Sequence, residues 1–109
     1  MLERRNSVRL SMPIKVRELN GDYMYNWNTS DLSEDGIFIL NKVCFSAQDP
    51  FSKLSLCLPN GKIIQNITAR IVREVRGSKG STGCALEFVQ LSEADRIELK
   101  RFVVERAAS

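Results

Sequence analysis

A chain of 109 residues is one domain's worth, enough to bury a core without disulfide or metal staples, and its 43% hydrophobic and 27% charged content is that of an ordinary globular protein. No apolar run approaches the ~20 residues of a membrane span, and the charged start lacks the apolar stretch of a signal peptide, so a cytoplasmic protein without membrane insertion is expected. A net charge of +3 is too small to argue for bulk DNA or RNA binding, the lack of histidine removes the usual general base and commonest metal ligand, and Cys44, Cys57 and Cys84 form no C-x-x-C pair that would suggest a disulfide framework or zinc site.

Met1 to Leu10 is charged and nearly devoid of apolar residues beyond Leu2, Val8 and Leu10. Residues 1–12 therefore read as an arm, mobile on its own, and 13–109 as the folded part. Arg4, Arg5 and Arg9 crowd this arm, and charge alone would make them a solvated basic tail. After Pro13, Ile14, Val16 and Glu18 alternate with Lys15 and Arg17, the period of a half-buried strand. Asn20-Gly21-Asp22 is a turn, and Tyr23 to Leu32 a second strand with Tyr23, Tyr25, Trp27 and Thr29 on one face. Trp27 reads as packing rather than as a stacking platform. Ser33-Glu34-Asp35-Gly36 breaks the pattern, and Ile37-Phe38-Ile39-Leu40 reads as a short buried strand.

Asn41 to Ser52 is loop-like. Leu54, Leu56 and Leu58 then alternate with polar neighbours, Pro59-Asn60-Gly61 turns the chain, and Ile63 to Val75 is a long strand with Ile67, Ala69 and Ile71 on one face. Arg70 and Arg73 on it could add a ligand contact, but such residues are more often solvated strand arginines, and they are left out of the candidate site. Gly77 to Gly83 is a hairpin loop before a last strand carrying Cys84, Leu86 and Phe88 on one side, with Cys84 a small buried hydrophobe. Ser92 can cap a closing helix, with Glu93 and Asp95 in its first turn and Leu99, Phe102, Val103 and Ile97 as its apolar stripe. Successive strands joined by short turns, with one terminal helix, predict an all-β antiparallel barrel or sandwich plus a C-terminal α-helix.

Two motifs stand out. Arg5-Asn6-Ser7-Val8-Arg9 is an R-x-x-x-R preceded by Arg4, and Asp31-Leu32-Ser33-Glu34-Asp35-Gly36 is a D-x-S-x-x-G. Each alone is weak: the first occurs in many basic tails, and the second resembles any hairpin turn whose glycine supplies a positive φ. Together, in this order and ahead of Gly83-Cys84-Ala85-Leu86-Glu87-Phe88 and the helix, they resemble the PilZ domain family over nearly the whole chain. That resemblance implies a barrel of about six antiparallel strands with a C-terminal helix, and a non-enzymatic receptor for cyclic di-GMP. Its implied ligand-binding residues are Arg4, Arg5, Arg9, Asp31, Ser33 and Gly36. An extra arginine ahead of R-x-x-x-R, here Arg4, further implies two ligand molecules per chain. An unidentified effector protein would read the ligand-bound form, in control of motility, surface polysaccharide or virulence.

The chemistry suits that ligand. A guanidinium is planar and forked, so Arg5 and Arg9 can pair bidentately with phosphate or with guanine O6 and N7, and can stack on a purine. Asp31 accepts where guanine donates, and Ser33, two residues on, would lie about 7 Å away on the same strand face. Gly36 would shape the turn and admit the ligand to the backbone. Asp31 could equally be a carboxylate that merely caps a turn. Two rival readings are a PilZ-like adaptor that binds only proteins and a nucleic-acid barrel, the latter disfavoured because 7% aromatic content is too little for a stacking face. No catalytic set is identifiable.

Overall fold

Alternating apolar residues need one enclosed interior, and the chain provides it by closing a sheet on itself. The computed structural model describes residues 9–20, 22–42, 50–76 and 82–107. Six antiparallel strands, β1 (Lys15–Asn20), β2 (Tyr23–Leu32), β3 (Gly36–Leu40), β4 (Phe51–Cys57), β5 (Ile63–Arg76) and β6 (Thr82–Gln90), precede one helix, α1 (Glu93–Ala107). The ring order is β1-β2-β3-β6-β5-β4, closed by β1 pairing with β4 as well as β2. This is the expected all-β barrel with a terminal helix. Arg4, Arg5, Cys44, the turn glycine Gly21 and the hairpin residues 77–81 lie outside the described residues. The helix is neither long nor apolar enough to cross a membrane.

Val16, Ile39, Leu54, Leu56, Ile64, Ile67, Ala69, Cys84 and Leu86 fill the interior, as alternation predicts, and Leu99, Phe102 and Val103 of α1 join the same core. Ser92 Oγ accepts the Asp95 backbone N–H at 3.1 Å, fixing the helix start. Lys62 and Lys100 approach Glu98 and Glu34 at 4.0 Å, so α1 lies across the barrel end that carries the β2–β3 and β4–β5 turns.

Four details depart from the sequence reading. Strand β4 starts at Phe51 and β6 at Thr82, taking residues from both predicted loops because the ladder with β5 continues through them. Strand β3 is only half buried: Ile37 and Ile39 point inward, while Phe38 and Leu40 lie on the outer wall, since a barrel has one interior. Ile97 is exposed, off the helical stripe. Leu10, assigned to the arm, is only 8% exposed and joins the core. Its N–H and C=O exchange hydrogen bonds with those of Leu32 at 2.8 and 2.9 Å, which ties the end of the arm to β2.

At the other barrel end a buried ion pair acts as a plug. Asn41, at φ 62, turns the chain after β3 and sends Lys42 inward, where it is 1% exposed. Its Nζ lies 2.7 Å from Glu18 Oε1, which also accepts the Trp27 indole N–H at 2.9 Å. The ammonium sits 5.3 Å from the Trp27 ring centre. Trp27 is thus a packing and hydrogen-bonding residue, as expected, and Glu18 is an inward strand position that holds a charge because it has two donors.

Candidate functional site

Strict alternation would point Asp31 into the core, since Tyr25, Trp27 and Thr29 precede it on the inner register of β2. A break in the β2–β3 register between Thr29 and Asp31 prevents this. Thr29 opposes Ile39 inside, whereas Asp31 opposes Phe38 outside, so one extra residue has moved the carboxylate to the outer wall. A second break, between Ile71 and Arg73 on β5, does the same for Arg73: Ile71 opposes Leu86 inside and Arg73 opposes Ala85 outside. The result is a continuous outer row, Asp31–Phe38–Ala85–Arg73, across β2, β3, β6 and β5. Its ends stand roughly 14 Å apart at the usual spacing of three strand gaps.

A cleft of about 260 Å³ opens along this row. Ala85, in its middle, is small enough to leave the space that Phe38 and Arg73 flank. The cleft also takes in Arg9, Ser33, Asp35, Gly36 and Glu87. Arg9 reaches it because Leu10, the next residue, is pinned to Leu32, and Ser11 Oγ donates to Asp31 Oδ1 at 2.8 Å. Thus residues 9–11 run beside Asp31, and R-x-x-x-R ends where D-x-S-x-x-G begins.

The turn itself is built by Ser33. Its Oγ accepts the backbone N–H groups of Asp35 and Gly36 at 3.1 and 3.2 Å, and its own N–H donates to the Gly36 carbonyl at 3.0 Å. Phe88 N–H donates to the Asp35 carbonyl at 2.8 Å, tying the turn to β6. Asp31 bonds a side-chain hydroxyl, that of Ser11, and it is Ser33 that caps the turn. Ser33 lies just beyond the end of β2, so its side chain is placed by the turn and not by strand alternation.

Gly36 begins β3 opposite Glu87 and is not among the positive-φ glycines. What requires a glycine is proximity: a Cβ there would meet Leu86 O of the neighbouring strand at 2.4 Å. Beside it, Arg70 Nη2 pairs with Glu87 Oε1 at 2.8 Å, both groups half exposed.

Of the six residues singled out by sequence, Arg9, Asp31, Ser33 and Gly36 come together, and Arg4 and Arg5 lie outside the described residues. Arg73, Asp35 and Glu87 were not picked from the sequence. Arg73 reads in the sequence as a strand arginine, and the β5 bulge brings it onto the same outer wall as Asp31. The cleft offers arginines for anionic groups and carboxylates for N–H donors, so it can hold a ligand carrying both. Among the described residues, no cluster of three His, Cys, Asp or Glu side chains could hold a metal.

Comparison with known proteins places the fold. The family model for the PilZ domain matches residues 3–105. No curated protein matches the sequence. Among solved structures, the fold resembles the Bacillus subtilis inhibitor of motility MotI/DgrA, with a TM-score of 0.84 and 18% identity over 98% of this chain and 53% of that one. It also resembles MrkH of K. pneumonia, solved as a complex with c-di-GMP, with a TM-score of 0.79 and 15% identity over 98% of this chain and 53% of that one. The chain spans about half the length of these two proteins. It covers 97% of its own length and 95% of the PilZ domain of Escherichia coli YcgR, solved with c-di-GMP, at 18% identity and a TM-score of 0.67. At such identities the likeness is one of fold. A family match over nearly the whole chain, on a closed six-stranded barrel whose arm meets the β2–β3 turn, establishes that the chain belongs to the PilZ domain family.

Proposed function

We propose that this domain is a cytoplasmic receptor for cyclic di-GMP, not an enzyme, and that ligand binding controls a partner protein. The observation that carries this reading is the convergence of Arg9, Asp31, Ser33 and Gly36 on one outer cleft. Arg9 and Arg5 bind phosphate or the guanine O6/N7 edge, and Asp31 accepts from guanine N1–H and N2–H. Ser33 holds the turn that presents them. Arg73, at the far end of the row, adds a second guanidinium that can stack on or pair with a base. The cleft falls below the usual ~300–1,000 Å³ of a ligand site, so it accommodates part of the dinucleotide and the arm, with Arg4 and Arg5, completes the site. Arg4 engages a second molecule, giving two ligands per chain.

Calorimetry on the full chain tests this. Cyclic di-GMP should bind with a stoichiometry of two, and GTP and cyclic AMP far more weakly. Replacing Arg9 with Ala should cost ~1–3 kcal/mol, roughly ten- to a hundred-fold in affinity. Arg4→Leu should favour one ligand per chain. Equal affinity for all three nucleotides would overturn the reading, and a stoichiometry of one would overturn the role given to Arg4.

A further inference from the structure

The barrel wall formed by β4, β1 and β2 carries a second constellation, away from the β3–β6–β5 side of the cleft. Three rows cross it in unbroken register. Lys15 stands between Asn28 and Cys57, Arg17 between Asn26 and Ser55, and Leu19 between Met24 and Lys53. Directly opposed residues of antiparallel strands share a face, and the intervening Val16, Leu54 and Leu56 are buried, so these nine side chains lie together on the outer wall.

The nine positions hold three cations and no carboxylate. Among the described residues, Lys15 and Arg17 form no ion pair, and Lys53 Nζ donates to a hydroxyl, Thr68 Oγ1, at 2.8 Å. Elsewhere the chain matches cations with acids, as in Lys42–Glu18, Arg70–Glu87 and Lys62–Glu98. Lys15, Arg17 and the two asparagines border a cleft of about 280 Å³. At one end of the wall, Leu19 and Met24 are paired across the strands and are 53% and 55% exposed.

We infer that this wall is a docking surface for an acidic, amphipathic segment of a partner protein. Its carboxylates would meet Lys15, Arg17 and Lys53, and its apolar side chains would cover Leu19 and Met24. Neither half of the surface explains the other alone: a nucleic-acid backbone would leave the Leu19–Met24 pair bare, and an apolar partner would bury unpaired cations at a large cost. The inference rests on the partner-control part of the function proposed above and is independent of its ligand, because the two sites occupy different walls and can be filled together.

The test uses the full, ¹⁵N-labelled chain and three defined probes: a peptide of repeating Glu-Glu-Leu-Leu units, poly-glutamate of equal length, and an oligothymidylate. The amphipathic peptide should bind best, with NMR shift changes centred on residues 15–19, 24–28 and 53–57. Arg17→Glu should weaken it about five- to ten-fold, as reversal of a central charge in a cluster implies, and added salt should weaken it too. Met24→Ser, which keeps every charge, should also weaken it. Arg101→Glu, a comparable charge change on α1, should have no effect. Shift changes elsewhere, indifference to both Arg17→Glu and Met24→Ser, or tighter binding of the oligothymidylate would each overturn the inference. The Arg17→Glu variant should still bind cyclic di-GMP, so failure of the receptor reading and failure of this one are separable.

Discussion

At the residue scale, the D-x-S-x-x-G motif divides into side chains that offer chemistry and side chains that hold shape. Ser33 accepts two backbone N–H groups, so Ser33→Ala should cost about 1–2 kcal/mol of stability in urea unfolding, the worth of the bonds it removes. Among the described residues Asp31 bonds only an exposed serine hydroxyl, so Asp31→Ala should leave the unfolding midpoint nearly unchanged and lower cyclic di-GMP affinity. A large loss of stability in Asp31→Ala with affinity intact would make it a structural carboxylate. Gly36→Ala places a methyl against the Leu86 carbonyl and must push two strands apart, an overpacking cost of ~1–3 kcal/mol measurable in the same way. These roles were only partly legible in the sequence. The motif gave the residue types, but the reason for a glycine is a neighbouring strand fifty residues away, which no local pattern encodes.

Among the elements, β2 serves two walls. Its Asp31 end faces the β3–β6–β5 cleft, while Met24, Asn26 and Asn28 face outward beside β1. The register break after Thr29 is what permits this, because it resets which residues point out. The connection leaving β3 is locked differently, by Lys42 bonding Glu18 of β1, which Trp27 of β2 also holds. Lys42→Met should destabilise the barrel by about 3–5 kcal/mol, since it strands a buried carboxylate. The double variant Glu18→Gln, Lys42→Met should recover most of that, because a neutral amide oxygen still accepts the indole N–H. If the double variant is as unstable as Lys42→Met, the ammonium contributes through packing rather than by neutralising Glu18. Urea unfolding of the two variants decides it. The sequence placed Glu18 on an inward position correctly, but Lys42 lay in a segment read as loop, where periodicity says nothing about burial.

On the scale of the whole molecule, the function proposed above makes the arm the part that responds to the ligand. Leu10 is already paired with Leu32, so ordering on binding should concern the residues before it. Two phosphates would neutralise the mutual repulsion of Arg4, Arg5 and Arg9 and supply the bonds that offset the lost chain entropy. Amide hydrogen exchange should therefore show protection rising in residues 2–9 and around 31–36 when cyclic di-GMP is added. Leu10 should be protected throughout, and α1 should change little, because its link to the turn, Lys100–Glu34 at 4.0 Å, is a long and partly exposed ion pair. Equal protection of residues 2–9 with and without ligand would mean a preformed arm and a switch located elsewhere.

What the sequence determined by itself was the class of fold and the chemistry of the motifs. Alternation is a local property, so Val16, Leu54, Leu56, Ile67, Cys84 and Leu86 could be assigned to a core before any strand was paired, and the helix announced itself through Ser92 and the spacing of Leu99, Phe102 and Val103. Only the tertiary structure decided which strands close the ring, that Asp31 and Arg73 face outward on one row, and that a lysine plugs the barrel. These depend on register between strands distant in sequence. A single inserted residue at a bulge exchanges the inner and outer faces for everything beyond it, and that insertion is visible only once the partner strand is in place.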